Sequence, residues 1–298
     1  MRHFLDVDDL GTDELLDVLD RAERGDLGQP LAGKGVALYF EKPSLRTRHS
    51  CEMAVVQLGG HPVTMRRDEI GPGSREPLAD IAHVLAGYHA VLGARVFDHA
   101  SVEGFAAPDA LPVANLLSDA AHPCQVIADL LTMRQEWGSL AGRTVAYIGD
   151  FNNVARSLAL GAALTGMDMR LGCPPGYGPS ALDLDRLAGL GCTPTVVTRP
   201  DEAAKGADAV HTDVWTSMGY EAETTERSKA FEGFQVDDHV MECALPEAVF
   251  MHCLPAHRGE EASASVVDGE RSRIFRQAHN RMHAFRGLLH WLVEVNPR

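Results

Sequence analysis

The 298-residue chain reads as α/β, with two doubly wound parallel-sheet domains in succession. Three observations point there. Apolar runs at 36–40, 90–97, 144–148 and 249–251 have the length and continuity of strands buried on both faces. Between such runs lie stretches with apolar residues at i, i+3, i+4 and i+7, the spacing of amphipathic helices. A polar segment from Trp137 to Arg143 interrupts the alternation like a hinge, and the length suits two cores of about 100–200 residues each.

Composition narrows the class. A hydrophobic fraction of 45% with 23% charged residues is that of a globular protein, and no apolar run is long enough for a membrane span. The first residues turn acidic without the apolar core of a signal peptide, so a cytoplasmic location is expected. The six cysteines show no CxxC or metal-finger spacing and read as free thiols, most of them small core residues. A formal charge of −15 argues against a nucleic-acid partner. It also means that any anionic substrate needs a local cationic cluster.

Taken in order, Leu10 to Ala22 forms a first helix, with Thr12 as its cap and Leu15, Leu16 and Leu19 buried. Val36–Phe40 is a strand, Glu41-Lys42-Pro43 a short loop, and Ser44 the N-cap of a helix whose face is Cys51, Ala54, Val55 and Leu58 and which stops at Gly59-Gly60. That helix start matters most. Its unpaired N–H groups and positive dipole end coincide with Ser44, Arg46, Thr47 and Arg48, which makes a phosphate seat without a glycine loop. His61–Met65 is a second strand, and the Gly/Pro-rich stretch 68–77 a long loop.

Leu78, Ile81, Ala82 and Leu85 mark the next helix. Arg95 lies near the carboxyl end of strand 90–97, where a charge in an apolar strand needs a partner or a ligand. After strand 112–117, Pro123 suits the first helical position, placing His122 and Gln125 at a second helix start. In the second series, strand 144–148 turns through Gly149–Asn153 into a helix, but the dinucleotide GxGxxG is missing. Strands 209–215 and 249–251 end in Asp213, Ser217, Met218 and Gly219 and in His252, Cys253, Leu254 and Pro255. Open α/β sheets bind ligands outside these carboxyl ends. A helix from Phe275 to Val295 closes the chain, with Arg281 near its start and Met282, Phe285, Leu288, Leu289 and Leu292 on its core face.

The ordered set Ser-x-Arg-Thr-Arg (44–48), Arg95, His122-Pro-x-Gln125, Asn153, Asp213-x-Trp-x-Ser-Met-Gly and His-Cys-Leu-Pro (252–255) resembles the aspartate/ornithine carbamoyltransferase family along essentially the whole chain. Its Ser-Met-Gly and His-Cys-Leu-Pro pieces are similar to the ornithine branch. The resemblance implies a carbamoyl phosphate-binding domain at 1–136, an ornithine-binding domain at 137–274, and a C-terminal helix at 275–298 returning to the first. It implies transfer of the carbamoyl group of carbamoyl phosphate to the side-chain amine of L-ornithine. Ser44, Leu45, Arg46 and Thr47 would seat the phosphate with Arg95 and Arg281, while His122 and Gln125 reach the carbamoyl end. Asn153, Asp213, Ser217 and Met218 would hold ornithine, and Cys253 and Leu254 would lie beside the reacting groups. Arg95, His122, Asp213 and Cys253 are the implied catalytic set, with Glu260 a further proton-relay candidate. No metal or cofactor is expected, and a homotrimer with shared sites is implied.

Two positions depart from the family pattern. Leu45 stands where a Thr is common, removing one hydroxyl while keeping its N–H. A neutral hydrogen bond is worth about 0.5–1.5 kcal/mol net, so Leu45→Thr is expected to lower KM for carbamoyl phosphate by up to about tenfold. A KM unchanged or raised would refute this. The loop from Gly71 to Pro77, implied to reach a neighbouring subunit, matches poorly, and Arg75 is its candidate cation. Rival readings are transfer to an N-acylated ornithine or to putrescine, an NAD-dependent oxidoreductase, and a binding or scaffold protein that kept the fold. A free-amine substrate is favoured by Asp213 with Ser217-Met218-Gly219, and the oxidoreductase is disfavoured by the missing glycines.

Overall fold

The computed structural model describes residues 1–71, 75–216 and 224–297. It divides into two units, Met1–Leu131 with His279–Arg298, and Thr132–Ala278. The divisions fall inside two helices, so the chain runs from one unit to the other without an irregular linker.

In the first unit α1 (Thr12–Glu23) leads to β1 (Gly35–Phe40), α2 (Leu45–Gln57), β2 (His61–Arg66), α3 (Arg67–Ile70), α4 (Leu78–Ala86), β3 (His89–Arg95), α5 (His99–Ala106), β4 (Val113–Leu117) and α6 (Pro123–Trp137). The four strands are parallel in the order β2-β1-β3-β4. Because β1 has its successors on opposite sides, the chain reverses direction between β1 and β3. Such a switch point opens a crevice at the strand ends, and here β1 ends at Phe40 and β3 at Arg95. The strands are apolar because helices cover both faces. Tyr39 packs edge-to-face on Phe105 at 5.7 Å among Ile81, Leu85, Leu92 and Val102.

The second unit runs β5 (Thr144–Ile148), α7 (Asn153–Thr165), β6 (Asp168–Gly172), α8 (Ala181–Gly189), β7 (Thr195–Val197), α9 (Pro200–Ala204), β8 (Ala209–Thr212), α10 (Thr224–Ala230), α11 (Asp238–Cys243), β9 (Val249–His252) and α12 (Ala264–Val267). Its parallel order is β7-β6-β5-β8-β9, which puts the switch point between β5 and β8. Gly149, the first residue beyond β5, has φ of +140°, a backbone state that L side chains rarely adopt, and so serves the sharp turn into α7. The core gathers around Phe231, Phe250, Val210 and Ile148. The last helix, α13 (Ile274–Val295), buries Phe285, Leu288, Leu289 and Leu292 in the first unit and leaves Met282 half-buried.

Several local expectations shift. Gly11, not Thr12, is the cap of α1, because the Glu14 carboxylate accepts the Gly11 N–H at 2.9 Å. The stretch expected as one loop at 68–77 contains most of α3, and 72–74 lie outside the described residues. The strand expected at 209–215 stops at Thr212, which places Asp213 just past its end. Strands β6 and β7 have no counterpart in the sequence reading.

Candidate active site

At the first unit's switch point Ser44 caps α2, its Oγ accepting the Thr47 N–H at 3.2 Å. The cap holds the first helical turn so that the buried Thr47 side chain faces two guanidinium groups. Arg281 Nη2 donates to Thr47 Oγ1 at 2.9 Å and Arg95 Nη1 does so at 3.4 Å. Arg281 Nη1 also donates to Gln125 Oε1 and lies 3.4 Å from His122 Nε2. Gln125 is oriented in turn by donating through Nε2 to Asp129 Oδ1 at 2.7 Å. Five expected residues, Thr47, Arg95, His122, Gln125 and Arg281, therefore form one buried cluster. Arg95 is 7% exposed, so it does not spill into solvent at the strand end. Arg46 is half-buried, whereas Leu45 on the first turn is 71% exposed.

The electrostatics are those of an anion seat. Burial holds His122 well below the usual imidazole pKa, and Arg281, Arg95, Lys42 and Arg46 add to the effect. A neutral ring facing a guanidinium can only accept at Nε2, so its proton sits on Nδ1. Lys42 is a residue that sequence reasoning missed. It follows β1, is buried with Nζ 4.7 Å from the centre of the Phe97 ring, and burial together with Arg95 pushes its ammonium down to about 8. Its signal was position alone, a lysine between a strand end and a helix cap.

Lys42 therefore sets a pH dependence. Its charged form attracts an anion, so Kd for inorganic phosphate should rise by up to about tenfold per pH unit as pH climbs past 8, where phosphate itself is already dianionic. Lys42→Met should flatten that rise. Titration calorimetry giving parallel curves for parent and variant would remove Lys42 from the seat.

In the second unit Asn152 caps α7, its Oδ1 accepting from Val154 N at 2.9 Å and Ala155 N at 3.1 Å. With the oxygen committed, its amide nitrogen must point away from the helix, and it donates to Asp213 Oδ2 at 2.9 Å. Cys253, at the end of β9, donates its thiol to Asp213 Oδ1 at 3.0 Å. Asp213 and Cys253, both among the expected site residues, are thus in direct contact. Asn153, the residue expected here, is the first of α7 and half-buried, and its neighbour Asn152 makes the cap and the contact. Leu254 is half-buried against the core with φ of +61°, and Ser217, Met218 and Gly219 lie outside the described residues. Buried Cys51 is different in kind from Cys253: burial pushes its thiol up to about 12 and leaves it inert.

Among the described residues, two groups of side chains have donor atoms close enough for a metal ion. Asp213, His252 and Cys253 lie within 4.8 Å of one another, but both His252 ring nitrogens are engaged, Nδ1 by Leu254 N at 2.8 Å and Nε2 by Glu261 Oε1 at 3.2 Å. That set does not fit a metal without breaking one of these bonds. His257, Glu260 and Glu261 form the second group. Its exposed members need no ion to explain them.

A cationic, hydroxyl-bearing helix start at one switch point and a carboxylate–thiol pair at the other define an α/β enzyme that receives an anion in one unit and a polar co-substrate in the other. Residues 2–135 match the model of the aspartate/ornithine carbamoyltransferase carbamoyl-P binding domain, and 141–292 that of the Asp/Orn binding domain. The chain belongs to the aspartate/ornithine carbamoyltransferase family. It is 46% identical over 297 residues to the ornithine carbamoyltransferase of Haloquadratum walsbyi, covering 99% of this chain and 98% of that one. The solved ornithine carbamoyltransferase from Pyrococcus furiosus superposes with a TM-score of 0.92 at 40% identity, covering 97% of this chain and 96% of that one. A solved N-acetyl-L-ornithine transcarbamylase mutant is 30% identical with a TM-score of 0.89, covering 98% of this chain and all of that one.

Proposed function

We infer that the protein transfers the carbamoyl group of carbamoyl phosphate to the side-chain amine of L-ornithine, giving L-citrulline and phosphate. The observation that carries the reading is the Thr47–Arg281–Gln125–His122 cluster, in the unit that matches the carbamoyl-P binding model. Identity of 46% to an ornithine enzyme against 30% to an N-acetylornithine enzyme favours the free amino acid.

Chemistry assigns the roles. Ser44, Leu45 and Arg46 at the α2 start, with Lys42, Arg95 and Arg281, hold the phosphoryl oxygens. Thr47, Arg95 and His122 donate to the carbonyl oxygen, which gains negative charge as the amine attacks, and Gln125 orients the carbamoyl nitrogen. His122 does so as a neutral hydrogen-bond donor. Asn153, Asp213, Ser217 and Met218 hold ornithine, whose ammonium must lose a proton before its lone pair can attack. Asp213 takes the charge of that ammonium and Cys253 buttresses Asp213, while Leu254 lines the approach. The new C–N bond forms at the carbamoyl carbon as the bond from that carbon to the bridging oxygen breaks; phosphate leaves with both electrons of that bond and takes up the proton that the attacking nitrogen sheds. Orientation and fixed donors supply the acceleration, with no covalent enzyme intermediate.

We place the functional domain boundaries at 1–136 and 137–274, with 275–298 as the returning helix, a few residues from the unit divisions inside α6 and α13. The assembly is a homotrimer in which exposed Arg75 reaches a neighbour; sedimentation giving a monomer at assay concentration would refute it. Among the described residues no helix is long and apolar enough to cross a membrane. The location is cytoplasmic, a reading supported by six cysteines that are all free thiols. Colorimetric assay of citrulline from carbamoyl phosphate and L-ornithine tests the function. Folded protein that yields none, or that prefers N-acetyl-L-ornithine or putrescine, overturns it.

A further inference from the structure

We propose that Glu261 is a positioning residue for the ornithine-side cluster, acting through the His252 ring on the Cys253–Leu254 turn. The proposal rests on the carbamoyltransferase reading and extends it to a carboxylate beneath the cluster.

Glu260 and Glu261 are adjacent, yet their side chains are 63% and 0% exposed. The tight turn from His257 to Ala262, with Gly259 at φ of +92° and its N–H on Ala262 O at 2.8 Å, directs one outward and the other into the interior. There Glu261 Oε1 accepts the His257 N–H at 2.5 Å and meets His252 Nε2 at 3.2 Å. His252 is also fully buried, and its Nδ1 accepts the Leu254 N–H at 2.8 Å. An N–H group can only donate, so Nδ1 carries no proton. The ring proton is therefore on Nε2, pointing at Glu261. The carboxylate selects one tautomer, and that tautomer supplies the acceptor that Leu254 needs.

Leu254 needs one because its φ of +61° puts a branched side chain in the left-handed region. Holding its N–H there fixes the residue before it, Cys253, whose thiol reaches Asp213. A second tie holds the strand end that carries the ring: the His252 backbone N–H donates to Gln277 Oε1 at 2.9 Å, and Gln277 Nε2 lies 3.3 Å from His211 Nε2. None of these groups touches substrate in the proposed reaction. Their effect is on where Cys253 and Asp213 stand.

The test separates positioning from bulk stability. Glu261→Gln keeps an acceptor oxygen for His252 and should retain citrulline formation within about threefold of the parent. Glu261→Ala should lower kcat/KM for ornithine by about 10–100-fold, chiefly in kcat, at a temperature where melting curves show it folded. Its affinity for inorganic phosphate should match the parent's. Two further variants avoid dependence on the folding of Glu261→Ala. Asparagine at 252 can mimic Nδ1 and glutamine can mimic Nε2, so His252→Asn should outperform His252→Gln by about tenfold. A folded Glu261→Ala with parental kcat/KM for ornithine, or the reverse ranking at 252, overturns the proposal while leaving the parent's activity intact. A parent that makes no citrulline overturns the carbamoyltransferase reading, and the proposal with it.

Discussion

Arg281→Lys is expected to lower kcat/KM for carbamoyl phosphate by about 10²–10³-fold, because the phosphate loses a fixed guanidinium and Thr47 and His122, two donors to the developing oxyanion, lose the group that aligns them. The substitution keeps the charge, so the loss isolates geometry. One guanidinium serves Thr47 Oγ1, Gln125 Oε1 and the approach to His122 Nε2 from a planar fork. An ammonium is a point donor on a different stem and cannot span those acceptors. Gln125 would then keep only its tie to Asp129, with its oxygen free to turn. Steady-state kinetics with varied carbamoyl phosphate and a melting curve check the result. Activity within threefold of the parent would mean that Arg281 supplies charge alone.

The second large effect is at Asp213. Asp213→Asn is expected to cost about 10²–10⁴ in kcat/KM for ornithine while Kd for phosphate stays put. The carboxylate accepts from Asn152 on one oxygen and from Cys253 on the other. An amide has a single oxygen, so whichever way it turns, one of these donors meets an NH2 group. The substitution also removes the negative charge that, in the proposed reaction, attracts the ornithine ammonium. Unchanged ornithine kinetics would exclude Asp213 from the reaction.

Much of this site was legible because its signals are local. Ser44 precedes an amphipathic run and caps it, and strand ends carrying Arg95, Asp213 and Cys253 stand out against apolar strands. The unreadable parts turn on single-residue phase. Asn152 and Asn153 are chemically the same, and only the backbone turn after Gly149 decides which caps α7 and which begins it. Glu260 and Glu261 are likewise the same until a tight turn buries one. Lys42 falls in a short loop by sequence, and it is buried with its Nζ over Phe97, which is distant in sequence. α3 was hidden because four residues are too short for periodicity.

The hydroxyl of Thr47 carries a last consequence. An sp³ oxygen has two lone pairs, and the arginines at 281 and 95 occupy both. What remains is one hydrogen with a single outward direction. The group has lost the usual ambivalence of a hydroxyl and behaves as a one-way donor, as an N–H does. It therefore discriminates by role: a ligand atom that offers a lone pair is accepted, and one that can only donate, such as an ammonium nitrogen, is turned away. Two fixed cations have made an alcohol into a sorter of acceptors from donors.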